Sequence, residues 1–159
     1  MSSYESEALV LAGLCQRCGG RCCAGHYILL SKSECRRLSD YMDFPRKKID
    51  SPTGCAMEGI DALHGGKCPF LGVYGCVLSA RSRPLVCRMF PVTYTCDAGV
   101  VRFHLSKKCP HIDSVKRLTK WVAETRREAE EELRKDWTGK ELRCFGNYLK
   151  KDADELIDL

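Results

Sequence analysis

Four cysteines stand close together near the start of the chain, in the run Cys15-Gln-Arg-Cys18-Gly-Gly-Arg-Cys22-Cys23-Ala-Gly25. Thiols this dense, separated by glycine, suit a metal or cluster, because glycine takes up the positive-φ turns that aim backbone amides at sulfur. A disulfide between Cys22 and Cys23 is disfavoured. Consecutive α-carbons lie about 3.8 Å apart, short of the roughly 4.4–6.8 Å that a disulfide spans. A second group follows: Cys68-Pro-Phe-Leu, then Cys76, then Arg83-Pro-Leu-Val-Cys87-Arg-Met-Phe-Pro91, and last Cys109-Pro110. These four are separated by 7, 10 and 21 residues. A zinc ribbon asks for a second tight C-x₂₋₄-C knuckle, which this group lacks, whereas iron–sulfur clusters accept irregular, widely spaced thiolates. A four-thiolate cluster is anionic, and Arg17, Arg21, Arg81, Arg83 and Arg88 all lie within a few residues of these cysteines.

The rest of the composition narrows the choice of chemistry. The chain has 159 residues, 12 of them cysteine, with 44% hydrophobic and 30% charged content. That is enough apolar material for one modest core and too much for disorder. The start, Met1-Ser-Ser-Tyr-Glu-Ser-Glu, is acidic where a signal peptide carries positive charge, and the apolar run 8–12 is too short for a signal core. No stretch reaches the 18 or so apolar residues of a membrane helix. The sequence therefore reads as cytoplasmic, with no membrane partner, in a compartment that keeps thiols reduced and favours metal ligation over disulfides. The net charge of +5 is concentrated in residues 102–120, where Arg102, Lys107, Lys108, Lys116, Arg117 and Lys120 face only Asp113. Without an aromatic–basic motif this stretch reads as a solvated loop and helix start, and nucleic acid is not an expected partner.

The elements that must position the thiols are short until residue 112. His26–Leu30 reads as a strand, and Ser31-Lys-Ser-Glu34 as a capping box opening a helix to about Met42. Residues 43–67 read as a long loop containing Pro45, Pro52, Gly54, Gly59, Gly65 and Gly66, its ends held by something other than its own structure. Two hairpins are expected: 68–73 with 76–78 across Tyr74-Gly75, and 92–96 with 100–105 across Asp97-Ala98-Gly99. Pro84 suits a helix start, which places Cys87 one turn in and Pro91 at the end. Val115, Leu118, Val122, Thr125, Ala129 and Leu133 recur at helical spacing, widened by Trp121. This stripe is expected to cover the core, with dimerisation through it as the alternative. Thr138-Gly-Lys-Glu141 is another capping box, opening a helix with Leu142, Phe145 and Leu149. The expected architecture is a single small α+β domain: a cysteine region over 15–112, two C-terminal helices over 113–151 and an acidic tail over 152–159.

In combination the Cys-rich start, Cys-Pro-Phe-Leu, Gly-Cys-Val-Leu, Arg-Pro-Leu-Val-Cys-Arg-Met-Phe-Pro and a late Cys-Pro resemble the YkgJ-type cysteine-cluster family, a zinc- or iron-chelating domain whose motif is written CxxCxxCC. The chain is also similar to the cysteine region of flagellin lysine methylases, for which an iron–sulfur cluster is implicated. It departs from the family motif in one place, with three residues rather than two between Cys18 and Cys22. The resemblance implies Cys15, Cys18, Cys22, Cys23, Cys68, Cys76, Cys87 and Cys109 as ligands. Eight thiolates allow two four-ligand sites or one cluster with spare thiols. The preferred expectation is one [4Fe–4S] cluster drawing on both groups, with a pair of Zn²⁺ sites as the alternative. The expected role is electron transfer or redox support for an unidentified redox or enzyme partner, by a monomer or weak dimer; a zinc-stapled interaction module and a cluster-dependent enzyme are the alternatives. Cys35, Cys96 and Cys144 are expected to pack as small hydrophobes, while Cys55 stays open. His26 and His111 lie near ligand cysteines but read as solvated, and His64 and His104 carry no signal.

Overall fold

The computed structural model describes residues 1–23, 26–50, 55–62, 66–150 and 153–159. Gly25, Pro52, Gly54, His64 and Gly65, named above, lie outside the described residues. Helix α1 (Ser3–Cys18) opens on a capping box in which the Glu5 N–H donates to Ser2 Oγ and the Glu5 carboxylate accepts from the Ser2 N–H. The chain then passes through a 3₁₀ turn, Arg21–Cys23, into β1 (Tyr27–Leu29) and α2 (Lys32–Ser39). The expected Ser31–Glu34 box is present at the start of α2. That helix stops three residues short of Met42.

Residues 43–67 are not a plain loop. They supply β2 (Lys47–Asp50) and β3 (Ala56–Asp61), and β3 is the centre of an antiparallel sheet ordered β1-β3-β2. Gly59 belongs there for a packing reason. A Cβ at that position would stand 2.6 Å from both the Ile28 carbonyl oxygen and Ile49 Cδ1. The next hairpin pairs β4 (Leu71–Gly72) with β5 (Gly75–Cys76), so its turn is Val73-Tyr74, one residue earlier than expected. Helix α3 (Leu85–Met89) starts after Pro84 and ends ahead of Pro91, as its prolines require.

A third sheet takes β6 (Val92–Asp97), β7 (Val100–Ser106) and β8 (Leu156–Asp158) in that order. Ala98 and Gly99, both at positive φ (48° and 82°), make the tight turn between β6 and β7. The acidic C-terminal segment is not a frayed tail: Ile157 pairs with Leu105, and Asp158 with His104. The apolar stripe after residue 112 is split between α4 (Ile112–Val115) and α5 (Thr119–Asp136), followed by α6 (Gly139–Lys150). Val115, Leu118, Val122, Thr125, Ala129 and Leu133 are all buried, so the stripe faces this chain's own core.

Helices and small antiparallel sheets thus make the expected α+β fold, built on two packed clusters. The larger lies under the β6–β7 sheet, where Tyr94 stacks on Phe145 at 4.8 Å and Trp121 and Leu133 close the other side. The smaller gathers Ile28, Leu38, Ile60, Phe70 and Leu78 around Cys68. Helix α6 approaches β6 so closely that a Cβ on Gly146 would fall 2.3 Å from the Cys96 backbone nitrogen. No larger residue fits at 146 unless the helix moves off the sheet. Among the described residues, no helix is long and apolar enough to cross a membrane.

Candidate metal centre

Backbone geometry, rather than sequence proximity, joins the two cysteine groups. Cys15 and Cys18 sit on the last turn of α1, three residues apart and hence on one face. Gly19 and Gly20, at φ 67° and 73°, reverse the chain behind them. The Cys23 N–H donates to the Gly20 carbonyl at 2.8 Å, forming the turn that carries Cys22 and Cys23. A Cβ on Gly20 would come within 3.2 Å of the Leu71 side chain, so a positive φ and a close approach both require glycine there. The Cys68 N–H then donates to the Cys23 carbonyl at 2.9 Å, clipping the second group onto the first. Leu71 donates to the Cys68 carbonyl at 3.0 Å and pairs with Cys76 across the hairpin. Cys87 lies in the first turn of α3, its N–H donating to the Pro84 carbonyl, and Cys109 lies just ahead of α4.

The thiols act on one another electrically. Burial raises the Cys68 thiol, opposed by the Phe70 N–H and reinforced by Cys76 and Cys22. Burial pushes Cys87 well up, with Cys68, Cys22 and Cys76 adding to it. Cys109 is raised by burial against an N–H from His111, with Cys18 and Cys22 as its thiol neighbours. Desolvation also raises Cys15, alongside Cys22, Cys109 and Cys18, while the Arg83 guanidinium pulls it back. Cys22 is the exception. A hydrogen bond from the Cys23 thiol lowers it to about 7, against its own desolvation and with help from its backbone amide and Arg83. The same bond raises Cys23, which keeps its proton.

Three glutamates lock the elements that carry these sulfurs, each reaching from its own helix to the start of another. Glu34, 2% exposed, closes its own capping box and also accepts from the Leu85 N–H at 2.7 Å, which fixes the start of α3 two residues before Cys87. Glu141 closes the expected Thr138 box and accepts from the Lys32 N–H at 2.9 Å at the start of α2. Glu7 accepts from the Trp121 N–H at 2.7 Å, binding α1 to α5. Arg88 is turned away from the thiols onto Glu132 and the Arg83 carbonyl, so it braces α3 against α5. Arg83, whose Nε donates to the Leu78 carbonyl at 3.2 Å, is the cation that acts on Cys15 and Cys22.

Burial raises the Glu34 carboxyl, opposed by its two N–H donors. The folded state therefore holds this proton more tightly than the unfolded chain. The resulting stability is full below the ordinary carboxyl value of about 4.3 and is lost as pH rises through the raised one. Glu34→Gln leaves one acceptor oxygen for two N–H donors and is expected to cost about 1–3 kcal/mol. Urea unfolding at pH 4 and pH 8 checks both points: the gap to wild type should be wider at pH 4. An equal gap at both pH values would show that burial does not govern this carboxyl.

Outside the two groups, Cys35 and Cys96 are buried as expected. Cys144 is not simple packing. It is joined to Cys55 in a disulfide with a Cα–Cα separation of 5.3 Å, spanning 89 residues. His111 contributes its backbone N–H to Cys109, and the His26 ring lies 6.1 Å from that of Phe90. His104, which carried no sequence signal, is buried and bridges Thr95 Oγ1 and Asp158 Oδ1 at 2.8 Å each, pinning β8 to the sheet.

Among the described residues no three histidine, cysteine or acidic side chains are gathered tightly enough to hold a metal ion as they stand. The donor chemistry nonetheless suits one: neighbouring thiols, buried or half-buried apart from the exposed Cys15 and Cys22, with the Arg83 guanidinium acting on those two. Thiol ligands of this kind must lose protons as a metal enters. Among known protein families, the one described as "CxxCxxCC: Putative zinc- or iron-chelating domain" matches residues 14–117, which is more than half of the chain and includes all eight of these cysteines. No curated protein and no solved structure matches the chain. The clipped thiol groups and the family match agree, and the chain belongs to the CxxCxxCC family of zinc- or iron-chelating domains.

Proposed function

We propose that the chain carries one iron–sulfur centre of the [4Fe–4S] class, its four thiolates drawn from both groups among Cys15, Cys18, Cys22, Cys23, Cys68, Cys76, Cys87 and Cys109, and serves electron transfer or redox support for a partner enzyme. The observation that carries this reading is the all-sulfur donor set drawn from distant, irregularly spaced parts of the chain and held together by the Cys68–Cys23 backbone bond. Fe–S clusters tolerate such spacing, and their potentials respond to net charge, hydrogen bonds to sulfur and solvent exposure. A bound cluster would supply one-electron exchange. The protein's own residues do the rest. The small core around Cys68 excludes water on one side, the Phe70 and His111 N–H groups donate to sulfur, and Arg83 offsets negative charge.

A second reading, a zinc-stapled interaction module, is favoured by the tight Cys15-x₂-Cys18 spacing. Anaerobic purification followed by iron, zinc and acid-labile sulfide analysis separates the two. The cluster reading expects brown protein containing iron and sulfide, with broad absorption around 400 nm on the order-of-magnitude scale of sulfur-to-iron charge transfer. Colourless protein with stoichiometric zinc and neither iron nor sulfide would overturn it.

A further inference from the structure

We infer that the tip of the β4–β5 hairpin is a docking surface, and that its occupant is an acidic protein surface with an apolar centre. The inference rests on the reading that the chain serves a partner, and it names the surface and the partner's chemistry.

The turn supplies the first observation. Its two residues, Val73 and Tyr74, are 94% and 100% exposed, more than any other large hydrophobic residue among those described. Folding does not ask for them. The left-handed conformation of this turn falls to Gly75, at φ 112°, so the polar residues common in turns would serve at 73 and 74. Val77, 65% exposed, lies across the same hairpin: a Cβ on Gly72 would stand 2.9 Å from its Cγ1. Single apolar side chains scattered over a surface are ordinary. Here three share one hairpin, and that hairpin also carries Cys76. A partner seated on Tyr74 meets the chain two residues from a candidate ligand.

Charge identifies the partner. Residues 8–33 and 62–96, which hold seven of the eight candidate ligands, contain no Asp or Glu. Three exposed cations flank the hairpin. Lys67 precedes Cys68, and Arg21 lies on the turn whose Gly20 packs against Leu71. Arg81 lies in the turn after Leu78, where the Ser82 and Arg83 N–H groups donate to the Ser79 carbonyl. None of the three is in an ion pair among the described residues. Asp43, beside Phe44, approaches the hairpin at its base, where the Phe44 and Phe70 rings meet at 5.4 Å. An apolar centre with a basic rim complements an apolar centre with an acidic one. The small patch suits electron-transfer encounters, which sit at the low end of interface area. Nucleic acid is disfavoured, because two of the three apolar side chains are valine and give a base no face to stack on. A lipid surface is disfavoured as well. The three side chains offer no more apolar carbon than a single acyl chain, which alone binds membranes only marginally.

The test places the photo-crosslinker p-benzoylphenylalanine at position 74 of the full-length chain in its native cell. The same group at position 100, where Val100 is exposed beside the β6–β7 turn, serves as the control. The expected result is a protein captured at 74 and not at 100, joined through a segment rich in Asp and Glu. That protein, purified, should bind wild type with an affinity that falls as salt rises. Lys67→Glu/Arg81→Glu should slow its association by about tenfold or more at low ionic strength. Val73→Ser/Val77→Ser should weaken its binding by about tenfold or more. All four side chains lie outside both cores, so these variants are expected to fold as wild type does. Capture of nucleic acid, of lipid or of a second copy of this chain would overturn the inference. So would capture no greater than at position 100, or an association rate that ignores the charge reversal. The crosslink reports contact whatever metal is held: capture at 74 in a chain that purifies with zinc alone would uphold the surface and sink the cluster reading.

Discussion

Reducing the Cys55–Cys144 disulfide is expected to lower the melting temperature by roughly 10–15 °C, at about 2–4 °C per kcal/mol for a chain of this size. The bond joins the approach to β3 with α6 across a sequence separation of 89 residues. Closing so long a loop removes much of the freedom of the unfolded chain, and the chain-entropy relation gives about 4–5 kcal/mol. The 5.3 Å Cα separation lies within the ordinary disulfide range, so the backbone needs no distortion to form it. The folded state changes little on reduction, because α6 is still held by Phe145 against Tyr94 and by Gly146 against Cys96. The loss therefore falls on the unfolded side of the equilibrium. Thermal melts with and without a phosphine reductant provide the check. C55S/C144S should melt at the reduced temperature and ignore the reductant. A wild-type melt unmoved by the reductant, in protein shown by mass to be oxidised, would contradict the prediction.

A larger effect is expected from losing the metal. The elements around Cys22, Cys23, Cys76 and Cys87 are too short to stand alone: β4 and β5 have two residues each, α3 has five and the turn with Cys22 and Cys23 has three. An isolated two-stranded hairpin is marginal at best, and helices below about 12 residues are marginal in water. The smaller core touches these elements through Cys23, Leu71, Cys76, Val86 and Cys87, all of them half-buried, while α3 also buries Leu85 and Met89 in the larger core. On the proposed metal-bound reading, metal–thiolate bonds would add to the burial of Phe70, Leu78, Leu85 and Met89 in holding this half together, and binding energy of that kind, about 10–16 kcal/mol in zinc-finger peptides, is folding energy. Removing the metal, or substituting Cys87→Ser, should raise amide exchange across residues 66–90 by roughly a hundredfold or more, equivalent to about 3 kcal/mol of local stability. The β6–β7 hairpin, with Val92 and Tyr94 fully buried, should keep its protection. Hydrogen exchange followed by mass spectrometry distinguishes the two regions. Unchanged exchange over 66–90 after complete metal removal would refute the idea that the metal holds this half.

Local signals were legible where the chemistry is local. The Ser31 and Thr138 capping boxes, the Ala98-Gly99 turn, Pro84 ahead of α3 and the stripe from Val115 to Leu133 each lie within a few residues and appear in the structure close to where their patterns put them. Helix α1 was readable in the same way, from Ser2-Ser-Tyr-Glu5, but its short apolar run was weighed only as a leader segment. Strands β2 and β3 were not legible. Lys47-Lys-Ile-Asp50 places a single apolar residue in four, and Gly59 sits in the middle of β3 because two neighbours crowd it, a fact visible only in three dimensions. The Cys55–Cys144 bond, the second task of each capping glutamate and the His104 bridge share that character. Their partners lie 51 to 114 residues away, beyond any periodicity. For the candidate site, the residue types were plain in the sequence. The clip that brings the halves together, a bond between two backbone groups, leaves no trace in side-chain identity.

That clip also sets an order of events during synthesis. Cys23 leaves the ribosome 45 residues ahead of the Cys68 amide that its carbonyl accepts, a delay of roughly 2–9 s at ordinary elongation rates. Through that interval the nascent chain displays four clustered thiols with no architecture around them. Glu141, which caps α2, and Cys144, which ties down Cys55, are made later still. The full set of eight thiols is thus complete only once Cys109 has been made, and the ties that fix its surroundings close only when the last helix docks.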